Sequence, residues 1–198
     1  MPGWEIIGEE ERRAVNEVFD NGAVLFRQSF VGLRNNVYKV KDFEAAFAKY
    51  LGLSYAHAVT SGTAALKVAL KALKVGPGDE VITQTHTFVA TVEAILECGA
   101  TAVVTDVDWT LNMDPEDLAR KITSRTKVII PVHMFGVAAR MDEIMAVARK
   151  RGIAVLEDTA QACGGTYRGK PLGTIGDVGT FSFDHGKLLT TGEGGMVV

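Results

Sequence analysis

From Tyr55 onward, short apolar runs alternate with longer stretches whose apolar residues recur at three- and four-residue spacing. The short runs are YAHAV (55–59), EVIT (80–83), AVVT (102–105), KVIIPV (127–132), IAVLED (153–158) and VGTFSF (178–183). Their lengths and apolar content predict strands. Between them, Ala64 to Leu73, Phe88 to Cys98, Pro115 to Ile122 and Met141 to Arg151 carry the helical spacing. Strand and helix in regular alternation predict an α/β fold: a mainly parallel sheet with helices on both faces. The punctuation agrees, since VGPGDE separates helix from strand and Gly99 and Gly152 stand where helix C-caps belong.

The ends are less regular. A helical stretch runs from Glu9 to Phe19, followed by a basic-aromatic loop, NGAVLFRQSFVGLRNNVYKVK. Residues 1–42 are therefore expected to be an N-terminal helix and loop packing on a larger domain, 43–198. The last residues, GEGGMVV, read as the opening of a strand without a turn or polar tail after it. A strand's side chains and ladder groups need partners, so the chain is expected to be part of a longer protein, with the 43–198 domain truncated at its C-terminal end.

Composition narrows the function classes. Lys plus Arg number 21 against 24 Asp plus Glu, a net charge of −3, which argues against a nucleic-acid partner. No apolar run approaches a membrane span, and the acidic, amphipathic MPGWEIIGEEERR is no signal peptide. The expectation is a cytoplasmic protein without a membrane partner. Cys98 and Cys163 form neither a CxxC nor a metal spacing; they read as buried thiols in a reducing compartment, and no metal site is expected.

Ligands of open α/β sheets bind at the carboxyl ends of the strands, where four segments fall. In TSGTAAL (60–66), Ser61, Gly62 and Thr63 open a helix, and the orphan N–H groups and dipole of a helix start attract phosphate; an ordinary Ser/Thr N-cap is the plainer alternative. In THTFVAT (85–91), Phe88 could lie on a heteroaromatic ring or could be a core residue. In AVLEDTAQACGG (154–165), Asp158 ends an apolar strand, where its carboxylate could pair with a protonated pyridine nitrogen, with Gln161 within reach of the same ring; the alternative is that Asp158 caps the next turn. Glu157 points to the other face of the strand. In GTFSFDHGKLLTTGEGG (179–195), Lys187 sits in a loop bounded by glycines, free to reach a carbonyl carbon and swing away, and Ser182 could touch a phosphate; a solvated surface lysine is the commonplace alternative. Singly these signals are weak. In this order they describe a site for pyridoxal 5′-phosphate (PLP).

At these residues the chain resembles the DegT/DnrJ/EryC1/StrS family of PLP-dependent sugar aminotransferases. The stretches that carry the resemblance are VTSGTAALKVALKAL, GPGDEVITQTHTFVATVEAILECGA, TKVIIPVHMFG, IAVLEDTAQACGGTYRGKPLGTIGDVGTFSF and KLLTTGEGGMVV, spanning essentially Phe43 to Val198. The resemblance implies the fold type I architecture of PLP-dependent transferases: a large domain on a mainly parallel sheet, a smaller C-terminal domain, and a homodimer with shared active sites. It implies that Gly62, Thr63, Ala64 and Ser182 surround the cofactor phosphate and that Phe88 stacks on the ring. Asp158 would hold the pyridine nitrogen, Gln161 would approach the ring hydroxyl, and Lys187 would be the Schiff-base lysine. Gln161 stands where many relatives have His. Some relatives are dehydratases with His in place of the lysine; here Lys187 is present in a GKxxTxGEGG frame, with His185 nearby, so transamination is expected.

The implied reaction moves an amino group from an amino acid, glutamate being the expected donor, to a keto sugar in cell-surface polysaccharide biosynthesis. PGWEIIGEEE, LFRQSF and KVKDFE are similar to transaminases that make 8-amino-3,8-dideoxy-manno-octulosonate, a lipopolysaccharide sugar, from the 8-oxo-3-deoxy compound. A nucleotide-linked 3- or 4-keto hexose is the competing acceptor, and a non-catalytic regulator on the same fold is the alternative of another class. Arg27 and Arg34, in the basic-aromatic loop, are expected to face an anionic substrate, since planar guanidinium groups suit carboxylate or phosphate.

Overall fold

Apolar strand residues that alternate in direction need cover on both sides of the sheet, and the computed structural model, which describes residues 2–198, supplies it. The strands are β1 (His57–Val59), β2 (Glu80–Gln84), β3 (Thr101–Thr105), β4 (Thr126–Ile129), β5 (Ala154–Asp158), β6 (Thr166–Tyr167), β7 (Lys170–Pro171), β8 (Val178–Ser182) and β9 (Gly195–Val197). The α-helices are α1 (Glu9–Asp20), α2 (Lys39–Leu51), α3 (Gly62–Ala72), α4 (Val89–Glu97), α5 (Pro115–Lys121) and α6 (Met141–Arg151). Seven strands form one sheet in the order β1-β9-β8-β5-β4-β2-β3, and β6 and β7 form a separate hairpin. The β3-β2-β4-β5-β8 run is parallel, whereas β9 pairs antiparallel with both β8 and β1. The expected α/β, mainly parallel architecture is thus borne out.

Neighbouring residues on the central strands feed two different cores. Val81, Val128 and Leu156 pack with Leu66, Leu70 and Ile95 of α3 and α4. Ile82, Ile129 and Val155 face the other way, onto Leu118 of α5 and Ile144 of α6. Burial on both faces explains why these runs are continuously apolar rather than alternating with polar residues. Gly152 caps α6 in the left-handed region (φ 67°), as its place in the sequence predicts.

The sequence reading departs from the structure near the N-terminus. Lys39 and Lys41, read as loop, belong to α2, which buries Phe47, Ala48 and Leu51. Phe47 and Leu51 pack with Phe181, Phe183 and Met196 against the β8-β9 end of the sheet. Helix α1 buries none of its residues. Ten large apolar side chains between Trp4 and Leu33, among them Ile6, Phe19, Phe26 and Phe30, are exposed. Cys98 is buried, Cys163 is half-buried, and both are free thiols. Among the described residues, no helix is long and apolar enough to cross a membrane.

Candidate active site

Strands β5 and β8 are adjacent and parallel, so their carboxyl ends open side by side, with the starts of α3 and α4 above them. A cleft of about 290 Å³ lies there, and it brings together Gly62, Thr63, Phe88, Asp158, Gln161, Ser182 and Lys187. Thr91, Asp184 and Glu193 also line it.

The end of the cleft at the start of α3 is built by close backbone approach. Gly62 and Thr63 are the first two residues of α3, whose N–H groups have no acceptor within the helix. A Cβ on Gly62 would lie 2.7 Å from Ser182 Cβ, and a Cβ on Gly195 would lie 2.3 Å from the Ser61 carbonyl oxygen. Both glycines are therefore needed for β8 and β9 to pass beneath the helix start. Ser61 is an N-cap as well: its Oγ accepts from the Ala64 N–H at 3.0 Å. The Ala64 N–H is therefore committed to Ser61, and Ala64 is not among the residues that line the cleft.

Phe88 directly precedes α4 and is 64% exposed, so it begins a helix without joining the core. Asp158, by contrast, is only 4% exposed. The side chain of Thr91 donates to its Oδ2 at 2.9 Å, and the Ala160 N–H donates to Oδ1 at 3.1 Å. The turn-capping alternative for Asp158 is thus realised through Ala160 while the carboxylate still faces the cleft. Burial pushes the Asp158 carboxyl above its ordinary value, against the opposing pull of Ala160, Thr91, His133 and Lys187. A buried carboxylate in that condition is satisfied by a cationic N–H donor. Gln161 accepts the Phe135 N–H on Oε1 at 3.0 Å, which ties the β5 loop to the loop after β4.

Glu157, one residue before Asp158, lies on the opposite face as the strand alternation predicts, and is fully buried. Its Oε1 accepts the Ile175 and Gly176 N–H groups, each at 2.6 Å, and its Oε2 accepts Gly173 N–H at 2.9 Å. His133 Nε2 is 3.1 Å from the same Oε2. His133 Nδ1 accepts the Ala139 N–H at 3.1 Å, so the ring proton belongs on Nε2, donating to Glu157. Burial raises the Glu157 carboxyl, but His133 and the backbone donors outweigh it, and the group ends below its ordinary value. Sequence reasoning did not find Thr91 or His133. Thr91 carried a weak local sign, since it stands one helical turn beyond Thr87, and their hydroxyls meet at 2.9 Å.

The structure does not bring Arg27 or Arg34 into this cleft. Arg34 is buried and donates to the carbonyls of Ser29 (3.2 Å), Val24 (3.3 Å) and Phe26, with Tyr38 beneath its guanidinium. Here it organises its own loop rather than lining the cleft, where a substrate is expected. Arg27 pairs with Glu44 and borders a separate cavity with Val40, Phe43 and Phe183.

The sequence pattern of the DegT/DnrJ/EryC1/StrS aminotransferase family matches residues 5–198. GDP-perosamine synthase of Caulobacter vibrioides is 49% identical over 159 residues, covering 80% of this chain and 43% of that protein. An aminotransferase from Psychrobacter cryohalolentis superposes with a TM-score of 0.89 at 41% identity, covering 98% of this chain and 48% of that one. The ntda protein of Bacillus subtilis, solved with bound cofactor pyridoxamine phosphate (PMP), superposes with a TM-score of 0.84 at 30% identity, over 98% of this chain and 43% of that one. The chain spans a little under half the length of these relatives.

Proposed function

Because the chain belongs to the DegT/DnrJ/EryC1/StrS aminotransferase family, we propose that its complete protein is a PLP-dependent aminotransferase acting on a keto sugar. The observation that carries this reading is the cleft itself, in which a deeply buried carboxylate, a lysine and a helix start share one wall. The residues fit the cofactor. The absence of a Cβ at Gly62 lets Ser182 close up against the start of α3, where the Gly62 and Thr63 N–H groups have no acceptor within the helix, and Asp158, pushed up by burial, suits a protonated ring nitrogen. Residues 43–198 would form the cofactor-binding large domain, with 1–42 packed on it.

Gly62, Thr63 and Ser182 would hold the phosphate, Phe88 would cover the ring, and Lys187 would hold the cofactor covalently. Bound there, PLP supplies an electron-poor ring that stabilises negative charge next to the transferred nitrogen. Asp158 would keep the proton on the ring nitrogen, with Thr91 holding the carboxylate in place for that task. When its Nζ is not bonded to the cofactor, Lys187 would be the free amine that takes the proton from the donor's Cα, and the glycines around its loop leave it room to move. Gln161, held by its bond to Phe135, would lie beside the ring. The exposed apolar side chains between Trp4 and Leu33 mark where a second subunit would pack, in keeping with a homodimer.

The acceptor is proposed to be a nucleotide-linked keto hexose, supported by similarity to GDP-perosamine synthase. The octulosonate reading rests on PGWEIIGEEE, LFRQSF and KVKDFE and is carried as the second. One experiment addresses both. The complete protein is loaded with PLP, reduced with borohydride and mapped by mass spectrometry, then incubated with glutamate and a panel of nucleotide-linked 3- and 4-keto hexoses and 8-oxo-3-deoxy-manno-octulosonate. A reduced adduct on Lys187 and amination of one panel member are expected. An adduct on another lysine, or a loaded protein that aminates none of them, would refute the reading.

A further inference from the structure

The Lys187 loop is closed at its far end by Thr190 Oγ1 and the Thr191 N–H, which donate to the Phe183 carbonyl at 3.1 and 3.0 Å, but the stretch around the lysine itself has few bonds of its own. Between His185 and Leu189 the chain has no regular structure, and both leucines, Leu188 and Leu189, are exposed. The Lys187 N–H donates to the Asp184 carbonyl at 2.9 Å, closing a local turn that the Asp184 side chain braces through the Gly186 N–H at 3.0 Å. The Lys187 carbonyl is held from outside, by the N–H of Gly3 at 2.8 Å. Gly3 opens a short 3-10 turn, Gly3–Ile6, and is itself buried. Next to it, the Trp4 ring stacks on His185, with centroids 5.8 Å apart and planes 14° from parallel. The fit leaves no room for a larger residue: a Cβ on Gly3 would stand 2.7 Å from the Leu188 carbonyl oxygen and 3.0 Å from that of Lys187.

We infer that the Gly3–Trp4 segment is a strap that positions the Lys187 loop, with Gly3 and Trp4 acting as positioning residues for the lysine. The inference deepens the function proposed above and rests on it for the role of Lys187. A lysine that must both hold a cofactor and move a proton needs a mobile side chain on a fixed main chain. The turn from Asp184 fixes the N–H side of Lys187. The Gly3 bond fixes its carbonyl side, and the Trp4–His185 stack holds the residue two positions before it. The side chain is left unrestrained. The strap comes from the far N-terminus and lies outside every strand and helix of the sheet, so its loss would loosen the lysine without unpicking the core.

The test uses the complete protein with Gly3→Ala, Trp4→Ala and Trp4→Phe, Trp4→Ala being the surface change least able to disturb folding. Amide hydrogen exchange across 184–192 is followed in the cofactor-free state, so that this arm does not depend on catalysis. Losing one hydrogen bond or one stacked ring should speed exchange there about tenfold, while exchange in β5 and β8 stays as in the wild type. Trp4→Phe, which keeps a stackable ring, should restore protection. In the loaded enzyme, Gly3→Ala and Trp4→Ala should lower kcat with little change in either KM, because the strap touches neither substrate. Unchanged exchange in both variants would overturn the inference, and so would faster exchange with unaltered kcat. Borohydride mapping of the wild type separates the two proposals: an adduct away from Lys187 would sink the function, while the exchange arm would still decide whether the strap holds the loop.

Discussion

Replacing Glu157 should destabilise the protein more than replacing Asp158, although the two carboxylates are neighbours. Four N–H donors converge on Glu157: Gly173, Ile175 and Gly176 from the main chain and Nε2 of His133. Glu157→Ala would leave all four without their acceptor, Gly173 and His133 in buried surroundings and Ile175 and Gly176 in half-buried ones. At about 1–3 kcal/mol for each of the two buried donors, with less for the half-buried pair, the loss is at least about 2–6 kcal/mol, a large part of a typical folding stability of about 5–15 kcal/mol. That variant should accumulate poorly as folded protein. Glu157→Gln is the measurable case. Its amide oxygen can take the Oε1 position and keep Ile175 and Gly176, but its NH₂ then confronts Gly173 and His133. His133 has no easy remedy, because its Nδ1 already accepts from Ala139. Two donors lost predict roughly 2–6 kcal/mol, or a urea midpoint lower by about 1–3 M for a slope near 2 kcal/mol/M. The pH dependence has a definite sign. The folded-state pKa lies below the ordinary 4.5, so the stabilisation is fully present above that value and is lost as pH falls through the depressed one. The gap between wild type and Glu157→Gln should therefore narrow as the pH falls below the ordinary 4.5 toward the depressed value. Equal midpoints at neutral pH, or a gap that stays constant into acid, would refute the reasoning.

Asp158→Asn should behave in the opposite way. The folded carboxyl is raised above 3.8, so its ionisation costs stability as pH rises from the ordinary range to the raised value, and the amide removes that cost. The cofactor-free variant should have a neutral-pH melting temperature no lower than wild type, while kcat falls by about 10²–10³; a lower melting temperature with normal kcat would contradict both halves. Gly62→Ala places a methyl group 2.7 Å from Ser182 Cβ and should weaken PLP binding about tenfold in an equilibrium titration; unchanged affinity would show that the turn yields freely. Arg34→Met removes the donor to the carbonyls of Val24, Phe26 and Ser29 and should cost about 1–3 kcal/mol in thermal or urea unfolding, with the acceptor KM unchanged; a raised KM at full stability would return Arg34 to a substrate role.

Local pattern determined much of this protein. The continuously apolar strands implied a sheet covered on both faces, because burial on both sides removes the need for polar alternation. Gly152 was legible as a C-cap because only the left-handed region can end the helix there. Asp158 and Glu157 were correctly assigned to opposite faces, since a strand's period of two is a property of its backbone. Helix α2 was missed, although Val40, Phe43, Phe47 and Leu51 keep helical spacing, because its charged, aromatic start continues the segment read as a loop. What only the tertiary structure decided depends on strand order, which brings together segments far apart in the chain. Thr91 meets Asp158 across 67 positions, Gly62 faces Ser182, and Gly3 reaches Lys187. No local periodicity records such pairs, because each is a consequence of which strands lie side by side. The same holds for Arg34. Its sequence surroundings are those of a solvated cation, and only the folded loop shows three carbonyls turned inward with the guanidinium satisfying them.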